Sequence, residues 1–171
     1  MKDCFLKLHS IPMDNIIDVA FGVDNWHTYL DTYEGQKTPR YVSNIPQGIW
    51  DAWNEDMQFI SDLVLPKELE PYTTITAMNK IPPNYEFGAH TDTYRECCLY
   101  LPIYPVKEKY MPMMFYHDNQ EICIDNYDIG QVYLCNLKIC HRVCNSTDLP
   151  RFNYQITLDK PYDEICKLIA S

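Results

Sequence analysis

The chain has no run of basic residues, no long apolar stretch, no internal repeat and no low-complexity tract. Each absence removes a class of function. Affinity for nucleic acid rests largely on Lys and Arg neutralising phosphates. Here fourteen such residues stand against twenty-four Asp and Glu, for a formal charge of −10. Neither DNA nor RNA is expected as a partner, and the acidity reads as a solubility feature. A membrane-spanning helix needs about 20 consecutive apolar residues, and no segment approaches that length, so no membrane partner is expected either. Residues 1–18 lack the unbroken apolar core of a secretory leader. The expected location is therefore cytoplasmic, with the eight cysteines as free thiols acting as small buried hydrophobes. Four disulfides in a secreted chain are the alternative. Cys-x-x-Cys, the paired spacing that structural zinc sites prefer, is also missing. Cys135, Cys140, His141 and Cys144 lie close together, but on a strand Cys140 and His141 would face opposite ways.

What is present points to a β-rich enzyme-sized domain. A length of 171 residues fits one domain. A domain of this size buries about 70% of the surface its unfolded chain exposes. It needs no disulfide or metal to fold, which leaves any metal free for function. Fourteen Tyr and twelve Pro suit pleated surfaces joined by many corners. Residues 1–71 read as a mixed, helical support. In that part Cys4–Leu8 alternates like a short strand, Met13–Phe21 reads as an amphipathic helix capped near Asp14, and Ile49–Leu65 has the clearest helical periodicity. Its Ile49, Trp53, Met57, Ile60 and Val64 recur at three- and four-residue steps, and Pro66 ends it.

From residue 72 to 160 the pattern changes to about seven or eight short strands without interleaved helices. They include Cys97–Tyr104, a hairpin turning at Asp118-Asn119, Gln131–Leu137 and His141–Cys144. The last is Arg151–Leu158, followed by a terminal helix over 161–171 with Pro161 near its start. Short strands in this number argue for an antiparallel sandwich or jelly roll. The expected class is mainly β with flanking helices, a double-stranded β-helix of the cupin-like kind.

Four residues carry the chemistry. His90 and Asp92 are two apart, so on an extended segment both offer a ligand atom to the same side. His141 follows Asp92 by 49 residues, a separation that only a chain folded back on itself can close. Two imidazoles and a carboxylate with open positions are the donor set of non-haem Fe(II) oxygenases. Arg151 follows His141 by ten residues and opens a strand on which Arg151, Asn153 and Gln155 share one face and Phe152, Tyr154 and Ile156 the other. A guanidinium fork matches a carboxylate in bidentate fashion, and Asn153 can add a neutral hydrogen bond. Each of these features alone is as well explained by a surface pair or a satisfied strand residue. Arg95 and Glu96, just past the motif, are placed to contact substrate, but read more simply as a solvated ion pair.

Taken together, His90-x-Asp92, His141 and Arg151 resemble the Fe(II)/2-oxoglutarate-dependent oxygenase superfamily, in its prolyl and aspartyl/asparaginyl hydroxylase-like branch. The Pro-rich lead-in Ile81-Pro82-Pro83-Asn84-Tyr85, the strand Leu99-Tyr100-Leu101-Pro102 and Gly130 ahead of His141 add to the likeness, which spans about residues 73–159. The resemblance implies a hydroxylase acting on a small molecule, amino acid or peptidyl side chain. It also implies Fe(II) held by His90, Asp92 and His141, and 2-oxoglutarate held by Arg151. Oxidative decarboxylation of that co-substrate would drive the reaction. Where many relatives have Arg-x-Ser on the co-substrate strand, this chain has Arg151-Phe152-Asn153, so a second contact must come from Tyr100, Tyr133 or Tyr85. Two other readings remain: a non-catalytic jelly-roll binding or structural module, and a cupin-type metalloenzyme that does not use 2-oxoglutarate and for which Arg151 would be dispensable.

Overall fold

A computed structural model describes residues 4–24, 26–30, 40–42, 50–104, 113–124 and 130–171. The chain opens with β1 (Phe5–Ser10) and α1 (Ile16–Gly22), then three short strands, β2 (His27–Leu30), β3 (Arg40–Val42) and β4 (Trp50–Ala52). A 3-10 turn (Glu55–Met57) leads into α2 (Gln58–Val64), and a second (Lys67–Tyr72) leads out of it. Eight strands follow: β5 (Thr73–Ile81), β6 (Tyr85–His90), β7 (Cys97–Tyr104), β8 (Met114–His117), β9 (Gln120–Cys123), β10 (Gln131–Asn136), β11 (His141–Asn145) and β12 (Arg151–Leu158). The chain ends in α3 (Tyr162–Ile169).

Two antiparallel sheets face each other. The larger has the order β1-β10-β7-β12-β5-β4-β2-β3 and the smaller β6-β11-β8-β9. Apart from the β8–β9 hairpin, which lies within the small sheet, strands from β5 to β12 alternate between the sheets in the jelly-roll manner, so the fold is a double-stranded β-helix. The earlier strands extend the large sheet at both ends, β1 beside β10 and β4 beside β5.

The central strands of the large sheet, β7, β10 and β12, are buried on both faces, which explains why they read as nearly continuous apolar runs. Leu99, Leu101, Phe152, Tyr154, Ile156 and Leu134 point outward. They pack with Ile16 and Ala20 of α1, Met57, Ile60 and Val64 around α2, and Ile165 of α3. The opposite face turns Cys98, Tyr100, Tyr133 and Cys135 inward against Phe115 and Val143 of the small sheet. Alternation along β12 therefore sends Phe152, Tyr154 and Ile156 to the outer core, and leaves the intervening side chains for the interior.

Turn chemistry fixes the strand connections. Asp118 and Asn119 both adopt left-handed backbone (φ 51° and 60°), the pattern of a two-residue hairpin between β8 and β9. Asn84 (φ 51°) follows Pro83 in the tight turn from β5 to β6. Gly130 (φ 76°) enters β10 so close to β1's end that a Cβ would lie 2.1 Å from Ile11 O, so no other residue fits without backbone movement. Its carbonyl accepts from Ile11 N–H at 2.9 Å.

Two sequence expectations need correction. Of the segment expected as one helix over Ile49–Leu65, Ile49 lies outside the described residues and the rest is strand, 3-10 turn and then helix. Trp50, Asp51 and Ala52 pair with Lys80, Asn79 and Met78 of β5, so sheet pairing overrides helical periodicity there. Met57, Ile60 and Val64 keep the apolar stripe, while Trp53 is 46% exposed. The first helix starts at Ile16, not Met13, and its N-cap position is Asn15 in left-handed conformation, without a side-chain cap. Four strands, β2, β3, β4 and β6, have no counterpart among those expected from the sequence. None of the eight cysteines forms a disulfide.

Candidate metal and co-substrate site

The smaller sheet builds the first half of the site. His90 ends β6, His141 begins β11, and the two are direct partners in the antiparallel register. Their ring centroids are 4.5 Å apart. Asp92 lies just past the end of β6, where its backbone N–H donates to Leu137 O at 3.0 Å. Across this turn Lys138 Nζ donates to the carbonyls of Asp92 (3.1 Å) and Thr93 (2.9 Å). The main chain that carries the carboxylate is thus fixed from the β10–β11 connection. His90 Nε2 and Asp92 Oδ1 stand 3.4 Å apart, and ligand atoms of His90, Asp92 and His141 all lie within 4.8 Å of one another. They form the single such grouping of His, Cys, Asp and Glu among the described residues. The Cys135, Cys140, Cys144 cluster does not join His141 in a zinc-like site.

Both imidazoles are oriented by the backbone two residues before them. His90 Nδ1 lies 2.8 Å from Gly88 O, and His141 Nδ1 lies 2.9 Å from Ile139 O. A carbonyl only accepts, so each Nδ1 carries a proton and each Nε2 is left for the shared point. His141 is 1% exposed. Burial lowers its pKa, which keeps it neutral and able to ligate. The hydrogen bond with Asp92 raises the pKa of His90. Burial alone would push the Asp92 carboxyl up, but the His90 hydrogen bond and the Arg95 charge outweigh it and hold the carboxyl below its ordinary value.

The donor set fits a divalent first-row ion. Once His90 Nε2 gives up the proton that its raised pKa favours, the set supplies two neutral imidazole nitrogens and one ionised carboxylate, and leaves positions for exogenous ligands. Asp92 Oδ2 is buried without a well-aligned hydrogen bond, although an Arg95 guanidinium nitrogen lies 2.7 Å away. That carboxylate retains lone pairs for a cation.

The larger sheet supplies the second half. Arg151 at the start of β12 is 3% exposed. One guanidinium nitrogen donates to Cys144 O of β11 at 2.7 Å, and another donates to the Tyr100 hydroxyl. The guanidinium therefore spans the gap between the sheets. Cys144 is three residues beyond His141 on β11, a main-chain separation of roughly 10 Å at the usual strand rise. Tyr100, on β7, is buried on the same interior face.

Other residues named from the sequence have different surroundings. The Asn153 amide donates to Asn79 Oδ1 at 2.7 Å, so its nitrogen is committed to β5. Tyr133 is buried beside Tyr100 in the β10–β7 register, with Phe5 edge-on at 6.0 Å. Tyr85 packs at the border of the inner cluster, and burial raises its pKa.

The expectation for Arg95 needs correction, and Lys138 was missed from the sequence. Arg95 is not a solvated pair with Glu96; it contacts Asp92 and donates to Gln155 Oε1 at 3.2 Å. Lys138 pairs with Glu96 instead, at 3.2 Å. The signal within reach was Gln155, which shares the polar face of β12 with Arg151.

No family model and no curated protein sequence matches this chain. Solved structures do. A prolyl hydroxylase from Trichoplax adhaerens, in complex with a hypoxia inducible factor oxygen degradation domain peptide fragment, is similar over 98% of this chain and 86% of its own, with TM-score 0.66 and 15% identity. A prolyl-4-hydroxylase from Pseudomonas putida covers 92% of this chain and 94% of its own, with TM-score 0.60 and 12% identity. A non-haem α-ketoglutarate-dependent epimerase from nogalamycin biosynthesis covers 97% and 84%, with TM-score 0.58 and 12% identity. At these identities the likeness is one of fold, and the fold is that of prolyl hydroxylases and other 2-oxoglutarate–Fe(II) oxygenases.

Proposed function

We propose that a chain of this fold with this site is an Fe(II)- and 2-oxoglutarate-dependent dioxygenase that hydroxylates a small molecule, an amino acid or a peptidyl side chain. The observation that carries the reading is the placement of two sets of groups. His90, Asp92 and His141 converge on one point, and a buried Arg151–Tyr100 pair bridges the same two sheets three residues further along β11.

His90, Asp92 and His141 would hold the metal on one side. Arg151, with the Tyr100 hydroxyl beside it, would take the far carboxylate of 2-oxoglutarate. The separation of roughly 10 Å along β11 suits a five-carbon diacid lying between a metal and a guanidinium. Bound iron, given 2-oxoglutarate and dioxygen, supplies the oxidising power for C–H hydroxylation. The protein's own part is to orient the diacid and fix the imidazole tautomers. Phe115, Val143 and Tyr133 form the buried apolar surroundings of this interior, where charge pairing is stronger than in water. The solved Trichoplax prolyl hydroxylase holds a peptide, and the partial exposure of His90 here leaves the metal end open to a side chain presented from outside.

A screen of free amino acids and short peptides for succinate release tests this. A substrate should raise succinate formation in proportion to protein, with a strict need for Fe(II), 2-oxoglutarate and dioxygen. If the iron-loaded protein releases no more succinate than Asp92→Ala, with any compound or with none, the reading fails.

A further inference from the structure

Arg95 lies 2.7 Å from Asp92 with one guanidinium nitrogen and donates to Gln155 with another, at 3.2 Å. The two partners belong to different parts of the site. Asp92 is a ligand-set residue on the connection after β6. Gln155 sits on β12, four residues beyond Arg151 and on the same face, and pairs in register with Tyr100. From this geometry we propose that Arg95 is a positioning residue that fixes the rotation of the Asp92 carboxylate and ties it to the strand bearing the co-substrate anchor. The inference rests on the metal and 2-oxoglutarate reading of the site.

A carboxylate attached to a fixed main chain still has a soft terminal rotation. The main chain of Asp92 is held without Arg95, by Leu137 O and Lys138 Nζ. What Arg95 adds is control of the side chain. Its planar fork can touch two partners at once in a set orientation, which a lysine cannot reproduce. Asp92 is also well enough buried, at 10% side-chain exposure, for the contact to escape the screening that makes surface pairs weak. One oxygen is thereby held toward the guanidinium while the other faces His90. The polar face of β12 then acts as one rigid bar with Arg151 at one end and Gln155 at the other, about 13 Å apart along the strand. Metal ligand and co-substrate anchor are positioned by the same element.

Cobalt(II) titration of the metal-free protein tests this without turnover, with affinity and the visible ligand-field spectrum as readouts. Arg95→Ala should weaken cobalt binding about 10- to 100-fold, the usual cost of losing a group that orients a ligand. It should also alter the spectrum, with the melting temperature of the metal-free protein followed alongside as the folding control. Arg95→Lys should recover part of the affinity but not the native spectrum. Gln155→Ala, which leaves Arg95 in place, should shift affinity and spectrum in the same direction by less, and it decides the matter if Arg95→Ala does not fold. Wild-type affinity within about twofold and an unchanged spectrum in both Ala variants would overturn the proposal, being well short of that cost. If the wild-type protein itself binds no cobalt, the metal reading has failed and the positioning role goes with it.

Discussion

Asp92→Ala should lose more than about 100-fold in ferrous-ion affinity, beyond the 10- to 100-fold typical of removing an outer partner of a ligand. It should release no succinate at any practical iron concentration. The expectation is strong because the substitution removes one of three donors and the only charge-neutralising one. His90 and His141 alone offer two neutral nitrogens to a dication. The fold should survive. The contacts that shape this turn run through the backbone N–H and C=O of residue 92, and alanine keeps both. Equilibrium dialysis of Fe(II) under nitrogen, with circular dichroism as the folding control, reads the result. Undiminished iron binding in Asp92→Ala would mean that the carboxylate is not a ligand.

Arg151→Ala has the second-largest expected effect, and it falls on a different quantity. Truncating one member of a buried, hydrogen-bonded charge pair costs about 2–4 kcal/mol, which corresponds to a rise of roughly 30- to 1000-fold in the 2-oxoglutarate KM. Iron affinity should stay near wild type, and excess 2-oxoglutarate should restore part of the rate. Tyr100→Phe, which removes one neutral hydroxyl, should raise the same KM about tenfold, consistent with about 1–1.5 kcal/mol for a hydrogen bond. A wild-type 2-oxoglutarate requirement in Arg151→Ala would sink the anchor assignment and favour a metalloenzyme that works without the diacid. Because Arg151 also bridges to Cys144 O, thermal melts must accompany the kinetics.

The contrast between β12 and the Ile49–Leu65 segment shows what a sequence can carry. Along β12 the alternation of Arg151, Asn153 and Gln155 with Phe152, Tyr154 and Ile156 is period two, and both faces are buried in different surroundings. The pattern and the structure agree because one strand creates both. Around Trp50 the local pattern is helical, yet the chain adds a strand to β5. That choice depends on a partner some thirty residues away, which no local window contains. β6 escaped notice for a related reason. Its Gly88 and Ala89 have poor strand propensity, and the strand is held by pairing with β11.

The candidate site divides in the same way. His90-x-Asp92 is legible because two residues on an extended segment share a side, and His141 and Arg151 because their donor chemistry is uncommon and their spacing suits a folded-back sandwich. The Arg95–Gln155 contact joins residues 60 apart in sequence, and its existence depends on the register of β12 against β7. Nothing in either residue's neighbours announces it. The pairing of Arg151 with Tyr100 sits between these cases. Three tyrosines were candidates, and only the strand order, with β7 beside β12, places the Tyr100 hydroxyl on the guanidinium.

The most direct test is spectroscopic and needs no substrate. Fe(II) and then 2-oxoglutarate are added to the purified protein under strict exclusion of oxygen, and the visible spectrum and melting temperature are followed. A chelate bound at His90, Asp92 and His141 should give a metal-to-ligand charge-transfer band that saturates with 2-oxoglutarate. The melting temperature should rise stepwise with each addition, as expected for ligands that bind only the folded state. A colourless mixture whose melting temperature moves with neither ligand would contradict the account.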